Sequence, residues 1–176
     1  MVDKASNWVP LTNEKLFFAQ TLLSYYQLEQ EKNSAFSKNK LAGLEESIVS
    51  HLNNAYTALL CELAAEHDVP FQAEEITLNE LNVSLMKKDN GRRDIAELIA
   101  LVEDQGSWLS KILRKHRNRF ISKQEKSEYQ DEQPEQINAI AIQSVEESED
   151  SDFDVQSHYV SLKALVDSVR SYRMED

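Results

Sequence analysis

The scarcity of turn-forming residues is the feature that most restricts how this chain can fold. Its 176 residues include only three glycines and three prolines, far fewer than average usage would give. A fold built from β-strands needs turn residues at about every ten positions, and this sequence does not supply them. The sequence therefore predicts an all-α protein, and its length allows a single hydrophobic core.

Apolar residues at three- and four-residue steps predict a long helix over residues 41–67, with a mostly leucine stripe along one face. Asp68–Val69–Pro70 should end this helix, because proline cannot continue the backbone hydrogen bonds and disfavours a helical residue before it. A polar stretch over residues 33–40 should connect the long helix to the one that precedes it.

The preceding helix is predicted to begin near Thr12–Asn13, which are good N-cap residues, and to end near Lys32. The segment before this helix, Trp8–Val9–Pro10, should fold over one end of the helical bundle. The apolar stripe of this helix is wide, and Phe18 and Tyr25 widen it enough for a second partner or a dimer contact. The stripe consists of Leu16, Phe17, Ala19, Leu22, Leu23 and Tyr26.

Two shorter helices should follow the long one. Thr77 and Glu80 fit the capping-box pattern, in which each side chain bonds the backbone N–H of the other residue, and they predict a brief helix there. Another helix is predicted over residues 93–105, with Gly106 as the residue just past its end.

Two further helices are predicted in the last third of the chain. Ser107 should cap a helix over residues 108–123. Asp154 or Ser157 should cap a last amphipathic helix that runs to about Tyr172.

Together these segments predict an up-and-down bundle of four to five helices. Residues 1–123 should form the body of the bundle, residues 124–156 a flexible, disordered acidic tether, and residues 157–176 a C-terminal helix. We expect that helix to pack back on the body, because an isolated helix of this length is marginal in water. An apolar island over residues 137–142 interrupts the tether and could dock on the bundle or on a partner.

The charges of the chain are distributed unevenly. Its formal net charge at pH 7 is −12, and the 33 residues from Gln124 to Gln156 contain eleven carboxylates and one lysine, a net charge of −10. Few apolar residues and charge of one sign are typical of a segment that stays disordered. The acidic balance argues against binding of nucleic acid or anionic membranes by the whole surface.

The stretch just before the tether has the opposite charge, with six cations and no carboxylate over residues 111–123. At about 100° per residue, the apolar residues of this helix group on one side and the cations cover the rest. This division is typical of helices that contact phosphates, so the cations form a candidate binding face. The same charge pattern would also arise if these cations only face solvent and the acidic tether neutralises them. The candidate residues are Lys111, Arg114, Lys115, Arg117, Arg119 and Lys123.

The sequence shows no pattern of a catalytic, metal or cofactor site, so we expect a non-enzymatic protein without a cofactor. Its histidines, at His51, His67, His116 and His158, occur in neither the Glu-x-x-His nor the His-Glu-x-x-His spacing of metal-binding helices. Cys61 lies among apolar residues, with no histidine or lysine within a helical turn to lower the pKa of its thiol. A buried, unreactive cysteine is therefore expected.

The expected location is the cytoplasm. No run of about 18 apolar residues occurs, so no membrane-spanning segment is predicted. The first fifteen residues lack the apolar core of a signal peptide, and a single cysteine agrees with a reducing compartment.

Two short motifs carry a resemblance to a known family. They are Asn13–Glu14–Lys15–Leu16–Phe17–Phe18–Ala19 and Gly106–Ser107–Trp108–Leu109. They resemble uncharacterised gammaproteobacterial proteins that form a domain-of-unknown-function family, over about residues 10–175. This resemblance implies a helical fold in a bacterial protein, and it implies no activity and no site residues.

The first two helices also resemble the helical bundles of the HEPN class, many of which are ribonucleases. That class needs an arginine followed four to six residues later by a histidine. The first arginine of this chain is Arg92, and no arginine precedes a histidine at that spacing. An inactive relative of this class therefore remains as one alternative.

These observations favour a non-enzymatic cytoplasmic adaptor or regulatory protein that acts by binding another protein. The main alternative is a nucleic-acid-associated factor that uses the basic helix over residues 111–123 and is autoinhibited by the acidic tether. Another protein is the expected partner, nucleic acid is a weaker alternative, and a second copy of the chain in a homodimer is a further option. No membrane partner is expected.

Overall fold

Six α-helices contain most of the residues that the structure describes. The computed structural model describes residues 7–32, 36–73, 75–87, 93–128 and 153–172, with side chains at all of these except 93, 94, 119–128 and 172. No strand occurs in these residues, which confirms the all-α prediction, although the helices number six instead of four or five. They are α1 (Trp8–Lys32), α2 (Ser37–Glu66), α3 (Leu78–Lys87), α4 (Arg93–Glu103), α5 (Trp108–Glu128) and α6 (Val155–Tyr172).

The first two helices form an antiparallel pair that contains much of the core. The hydroxyl of Ser37 donates to the Glu29 carboxylate at 3.0 Å near one end, and the Phe18 ring meets the His51 ring edge-on further along. As the leucine stripe predicts, the central apolar residues of α2 are fully or almost fully buried. These residues include Ile48, Leu52, Ala55, Leu59 and Leu63.

Both helices of this pair begin earlier in the chain than predicted. Trp8–Val9–Pro10 forms the first turn of α1, where proline is tolerated because the first backbone N–H groups have no partner within the helix. Trp8 instead packs against Phe71, with 5.6 Å between the ring centroids. The second helix begins at Ser37, so the polar connection is shorter than the predicted stretch over residues 33–40.

The long helix α2 ends without a glycine. Asp68 takes the left-handed conformation, with φ of 51°, and the backbone N–H of Val69 donates to the carbonyl oxygen of Ala64 at 2.8 Å. A second bond, from the N–H of Asp68 to the carbonyl oxygen of Ala65, completes a Schellman motif. Asp68–Val69–Pro70 ends the helix as predicted, with the left-handed residue at Asp68.

The capping prediction for α3 is confirmed. The Thr77 hydroxyl accepts a bond from the Glu80 N–H at 3.2 Å, and the Glu80 carboxylate accepts one from the Thr77 N–H at 3.3 Å. Ser107 likewise caps α5 through a 3.0 Å bond from the Ser110 N–H. The prediction for Gly106 is wrong, because α4 ends at Glu103 and Gly106 does not adopt a positive φ.

Helix α5 is longer than predicted, whereas α6 begins after one of its two predicted caps and ends at Tyr172, as predicted. Helix α5 continues to Glu128, five residues into the predicted tether, and α6 begins at Val155. Of the two predicted caps Asp154 is the one used, since its carboxylate accepts the N–H groups of Gln156 and Ser157 at 3.0 and 3.2 Å. Most of the predicted tether, residues 129–152, lies outside the described residues, as does the apolar island over residues 137–142.

Helix α6 packs against α1, α2 and α5. Its apolar face, with Leu162, Val166 and Val169, is buried there. Near its end, the Arg170 guanidinium bonds both oxygens of Glu62 in α2, at 2.7 and 3.2 Å, and also donates to the Asn13 side chain in α1 at 2.8 Å. This arginine therefore connects three helices.

Around this core, α3 contacts α2 and α4, α4 contacts α5, and α5 also contacts α2. None of the described helices combines the length and the apolar character needed to cross a membrane.

Replacing Gly43 by alanine should stabilise the protein by about 0.5–1 kcal/mol, because glycine weakens a helix interior. A Cβ at this position in α2 would meet nothing within 4 Å. Urea unfolding followed by circular dichroism measures the change. Gly106→Ala is the control, since Gly106 lies outside the helices and its Cβ would lie 3.3 Å from the Asp104 carboxylate. An equal gain in stability from Gly106→Ala would contradict the explanation by helix propensity.

Replacing Arg170 by methionine should destabilise the protein by about 3–5 kcal/mol, because it removes the cation paired with a fully buried carboxylate. The double variant Glu62→Met/Arg170→Met should recover much of this loss. Asp167→Ala, which breaks an exposed pair with Lys163 on the same helix, should cost at most about 0.5 kcal/mol. Equal losses in Arg170→Met and Asp167→Ala would disprove the role assigned to the buried pair.

Candidate functional site

The predicted basic face of α5 is only partly available on the surface. The side chains of Lys111, Arg114 and Lys115 are half-buried, and Arg117 is exposed. Arg119 and Lys123 have side chains outside the described set. All six candidate cations lie in α5, and three of the four with described side chains are partly buried.

Lys115, in the middle of this face, is held by two other parts of the chain. Its ammonium forms an ion pair with Glu45 of α2 and lies 4.0 Å from the ring centroid of Phe153, just before α6. A cation over an aromatic ring is attracted by the electrons of the ring face. Lys115 thus connects α5 to α2 and to the residue before α6, so its role in the fold is to hold these elements together.

His158 lies beside this contact and is buried. Its ring centroid is 4.4 Å from that of Phe153, and neither ring nitrogen has a hydrogen-bond partner in the described part of the chain. Burial lowers the pKa of His158, and the nearby charges of Lys111 and Lys115 act in the same direction, against an opposing effect of Asp154. The imidazole is therefore neutral at pH 7 and acts as a packing group.

Cys61 is buried in α2, as expected from its apolar neighbours. Burial, followed by the charge of Glu62, raises the pKa of the thiol to about 11. The reactive thiolate form is therefore negligible at neutral pH, so this cysteine is not suited to act as a nucleophile.

A surface that does suit binding lies on α1, on the side that faces away from the core. Phe17, Tyr25 and Leu28 are 62%, 58% and 54% exposed, although they are large apolar side chains. Together with Thr21 and Ser24 they cover about 100° of the helix circumference. We call these five residues the outer face of α1.

The outer face has three hydroxyl groups, and those of Thr21 and Ser24 have hydrogen-bond partners within α1. The Thr21 hydroxyl donates to the carbonyl oxygen of Phe17 at 2.9 Å, and the Ser24 hydroxyl donates to that of Gln20 at 3.2 Å. Burying a polar group costs most when its hydrogen bond is lost. Because these two donors keep their bonds inside the helix, covering Thr21 and Ser24 with an apolar partner has a small desolvation cost.

A groove continues the outer face toward α2. It has a volume of about 630 Å³, and its lining is partly apolar and partly charged. The lining consists of Tyr25, Leu28, Glu29 and Lys32 of α1 and Lys40, Gly43, Leu44 and Ser47 of α2. Gly43 leaves open space where any other residue would place a Cβ. The groove can therefore accept a side chain from a bound partner.

Charged residues occur only at the two ends of the outer face. Residues 16–28 of α1 include no charged residue. Glu14 stands before this stretch and Lys32 follows it, and at 100° per residue both lie on the same side of the helix as Tyr25. Each already pairs with a neighbour, Glu14 with Lys15 at 2.8 Å and Lys32 with Glu29 at 3.0 Å, while remaining at least half exposed. The surface is thus apolar, with a negative end and a positive end.

The sequence prediction for Phe17 is wrong. The stripe of α1 included this residue with the core-facing set, but the structure places it on the outer face. Phe18, which was predicted to widen the stripe, is partly exposed and packs against His51, with 5.4 Å between the ring centroids. The lack of charge across residues 16–28 is the signal that could have revealed a second apolar side of α1.

The described fold and surfaces define a small all-α protein with a closed helical core and an apolar outer face. The chain belongs to a family described as a family of unknown function, DUF6586, whose model matches residues 7–175. This match confirms the expectation of a domain of unknown function, while the gammaproteobacterial origin stays a prediction. No curated protein and no solved structure matches the chain.

The lowered pKa of His158 predicts that the protein loses stability as the pH falls. Between the folded pKa and the ordinary value near 6.5, the unfolded chain binds more protons than the folded chain. The free energy of unfolding should therefore decrease from about pH 7.5 to about pH 5.5, above the range where most carboxylates titrate. Urea unfolding at a series of pH values measures this slope.

The variant His158→Phe should reduce the slope, because phenylalanine keeps a ring in the pocket and takes up no proton. His51, whose pKa is also lowered by burial, should account for a remaining slope in the same pH range. The double variant His51→Phe/His158→Phe should show the flattest profile. An unchanged slope in the single variant would show that His158 is not responsible.

Proposed function

We propose that this protein is a non-enzymatic adaptor or regulatory protein of the cytoplasm that acts through protein–protein interaction at the outer face of α1. The observation that carries the proposal is the exposure of Phe17, Tyr25 and Leu28 along an uncharged stretch of helix. Aromatic side chains are enriched at the centres of protein interfaces, where charged residues are depleted. The proposal takes the six helices to form an up-and-down bundle, with α1 at its surface.

The shape of the outer face favours an amphipathic helix as the bound element. It runs along a helix, from Glu14 to Lys32, for roughly 27 Å. Helices pack by inserting the side chains of one into the grooves of the other, and the groove beside Leu28 provides one such space. A helix that runs antiparallel, with a positive residue near Glu14 and a negative residue near Lys32, would match both ends.

Nucleic-acid binding by α5 is the weaker alternative. A phosphate-binding face needs cations that reach the solvent, yet Lys115 is engaged with Glu45 and Phe153. Among the candidate cations with described side chains, Arg117 is the exposed one. Binding of a phosphate backbone across this face would have to compete with contacts that hold α5 in place.

Site-specific photo-crosslinking tests the proposed function. A benzophenone amino acid in place of Phe17 should form a product in native cells, because the ring would lie against the bound partner. The same amino acid at Met86, which is exposed and apolar but lies on α3, should not form that product. Mass spectrometry should locate the crosslink in an amphipathic helical segment of the partner.

The change Leu28→Glu should abolish the product formed from position 17, since a carboxylate would be placed in the apolar contact. The same change at Met86 should leave it unaffected. No product from position 17, or equal products from positions 17 and 86, would refute the proposed function. A crosslink to residues 137–142 of the same chain would also refute it, because the outer face would then be covered from within.

A further inference from the structure

We propose that the partner of the outer face of α1 is a second copy of this chain, bound through the same face in an antiparallel, two-fold symmetric helix pair. This inference rests on the proposed function, because it identifies the partner of that same surface. A symmetric dimer uses one surface twice, so the surface must be complementary to itself. Three features of the outer face meet this condition.

The first feature is the spacing of the apolar residues. A two-fold axis that passes α1 midway between Thr21 and Ser24 places Phe17 opposite Leu28 of the second copy, and Leu28 opposite Phe17. The same axis brings Thr21 opposite Ser24, where small side chains allow the two helices to approach closely. Their hydroxyls stay bonded to their own helix, so this central contact leaves no donor without a partner.

The second feature is the opposite charge at the two ends. In the same arrangement, Glu14 of one copy lies within about one residue rise, ~1.5 Å along the axis, of Lys32 of the other. The symmetry repeats this contact, so the dimer gains two ion pairs. A chain with a net charge of −12 repels its own copy in general, and an uncharged face with complementary ends is where two copies can meet.

The third feature is the groove between α1 and α2. It lies beside Leu28, and the two-fold axis therefore brings Phe17 of the second copy over it. Gly43 lines the groove and leaves open space where another residue would place a Cβ, and Leu28 and Leu44 supply apolar surface beside it. Each copy would thus insert one phenylalanine into the groove of the other.

The interface is small, since two helices about 27 Å long bury less surface than a permanent dimer needs. We therefore expect a reversible dimer with a dissociation constant of about 10 µM. Sedimentation equilibrium of the full chain from about 1 to about 200 µM, in about 0.15 M salt, measures it. Phe17→Glu should weaken dimerisation by at least about tenfold, and Met86→Glu should change it by less than about twofold.

A charge exchange tests the geometry of the pair. Glu14→Lys alone should weaken dimerisation by about three- to tenfold, because it replaces an attraction to Lys32 of the other copy by a repulsion, at both symmetry-related contacts. Lys32→Glu alone should do the same. The double variant Glu14→Lys/Lys32→Glu should restore the dimer to within about twofold, since it reverses both ends together. Circular dichroism at each step checks that the helical content is unchanged.

The second-copy proposal would be overturned if the protein stayed monomeric at all concentrations. It would also be overturned if the double variant Glu14→Lys/Lys32→Glu dimerised as weakly as the two single variants. The mass of the product crosslinked from position 17 then separates the two proposals. A doubled mass supports the second copy. A product with a different protein would overturn the second-copy proposal and leave the proposed function standing, whereas no product from position 17 overturns both.

Discussion

The ion pair between Glu62 and Arg170 is a buried charged contact that fixes how the last helix meets the first two. Glu62 lies deep in α2 with no exposure to solvent, and a carboxylate in that position is very unfavourable unless a cation meets it with good geometry. Arg170 supplies two bonds from its planar guanidinium and a third bond to Asn13. The apolar contacts of α6 contribute stability over its length, and this pair adds a polar contact whose bonds are all made in one position of α6 along α2.

With α6 in place, α1 has two apolar sides that serve different purposes. Its inner side, with Leu16, Ala19 and Leu23, is buried by α2 and α6. Its outer side has no covering element among the described residues, and it is apolar without being needed for the core. A helix of this kind contributes to folding on one side and is available for association on the other. This division is the physical basis of the function proposed for the protein.

Local features of the fold followed from the sequence, and contacts between distant residues did not. The stripe of α2 and the Thr77–Glu80 cap depend on residues within a few turns, so periodicity and capping rules could predict them. The start of α1 was not predicted, because nothing in the sequence indicated that Pro10 would occupy the first turn, where proline is tolerated.

The basic face of α5 shows the same limit for the candidate site. Its cations were read as a surface, but Glu45, some seventy residues earlier, takes one of them into the packing. No local pattern indicates such a partner. The outer face of α1 was visible only as an excess of apolar residues, since a stripe that is too wide does not say which of its edges is buried.

The position of α6 has a consequence for synthesis of the chain on the ribosome. Residues at the beginning of α1 contact a residue near the end of α6, so the core cannot close until the last helix has emerged. Until then, the sides of α1 and α2 that α6 covers stay exposed, and Glu62 lacks its arginine. The helices that emerge first therefore keep apolar surface exposed until α6 has been synthesised, and such incompletely packed states are prone to aggregation.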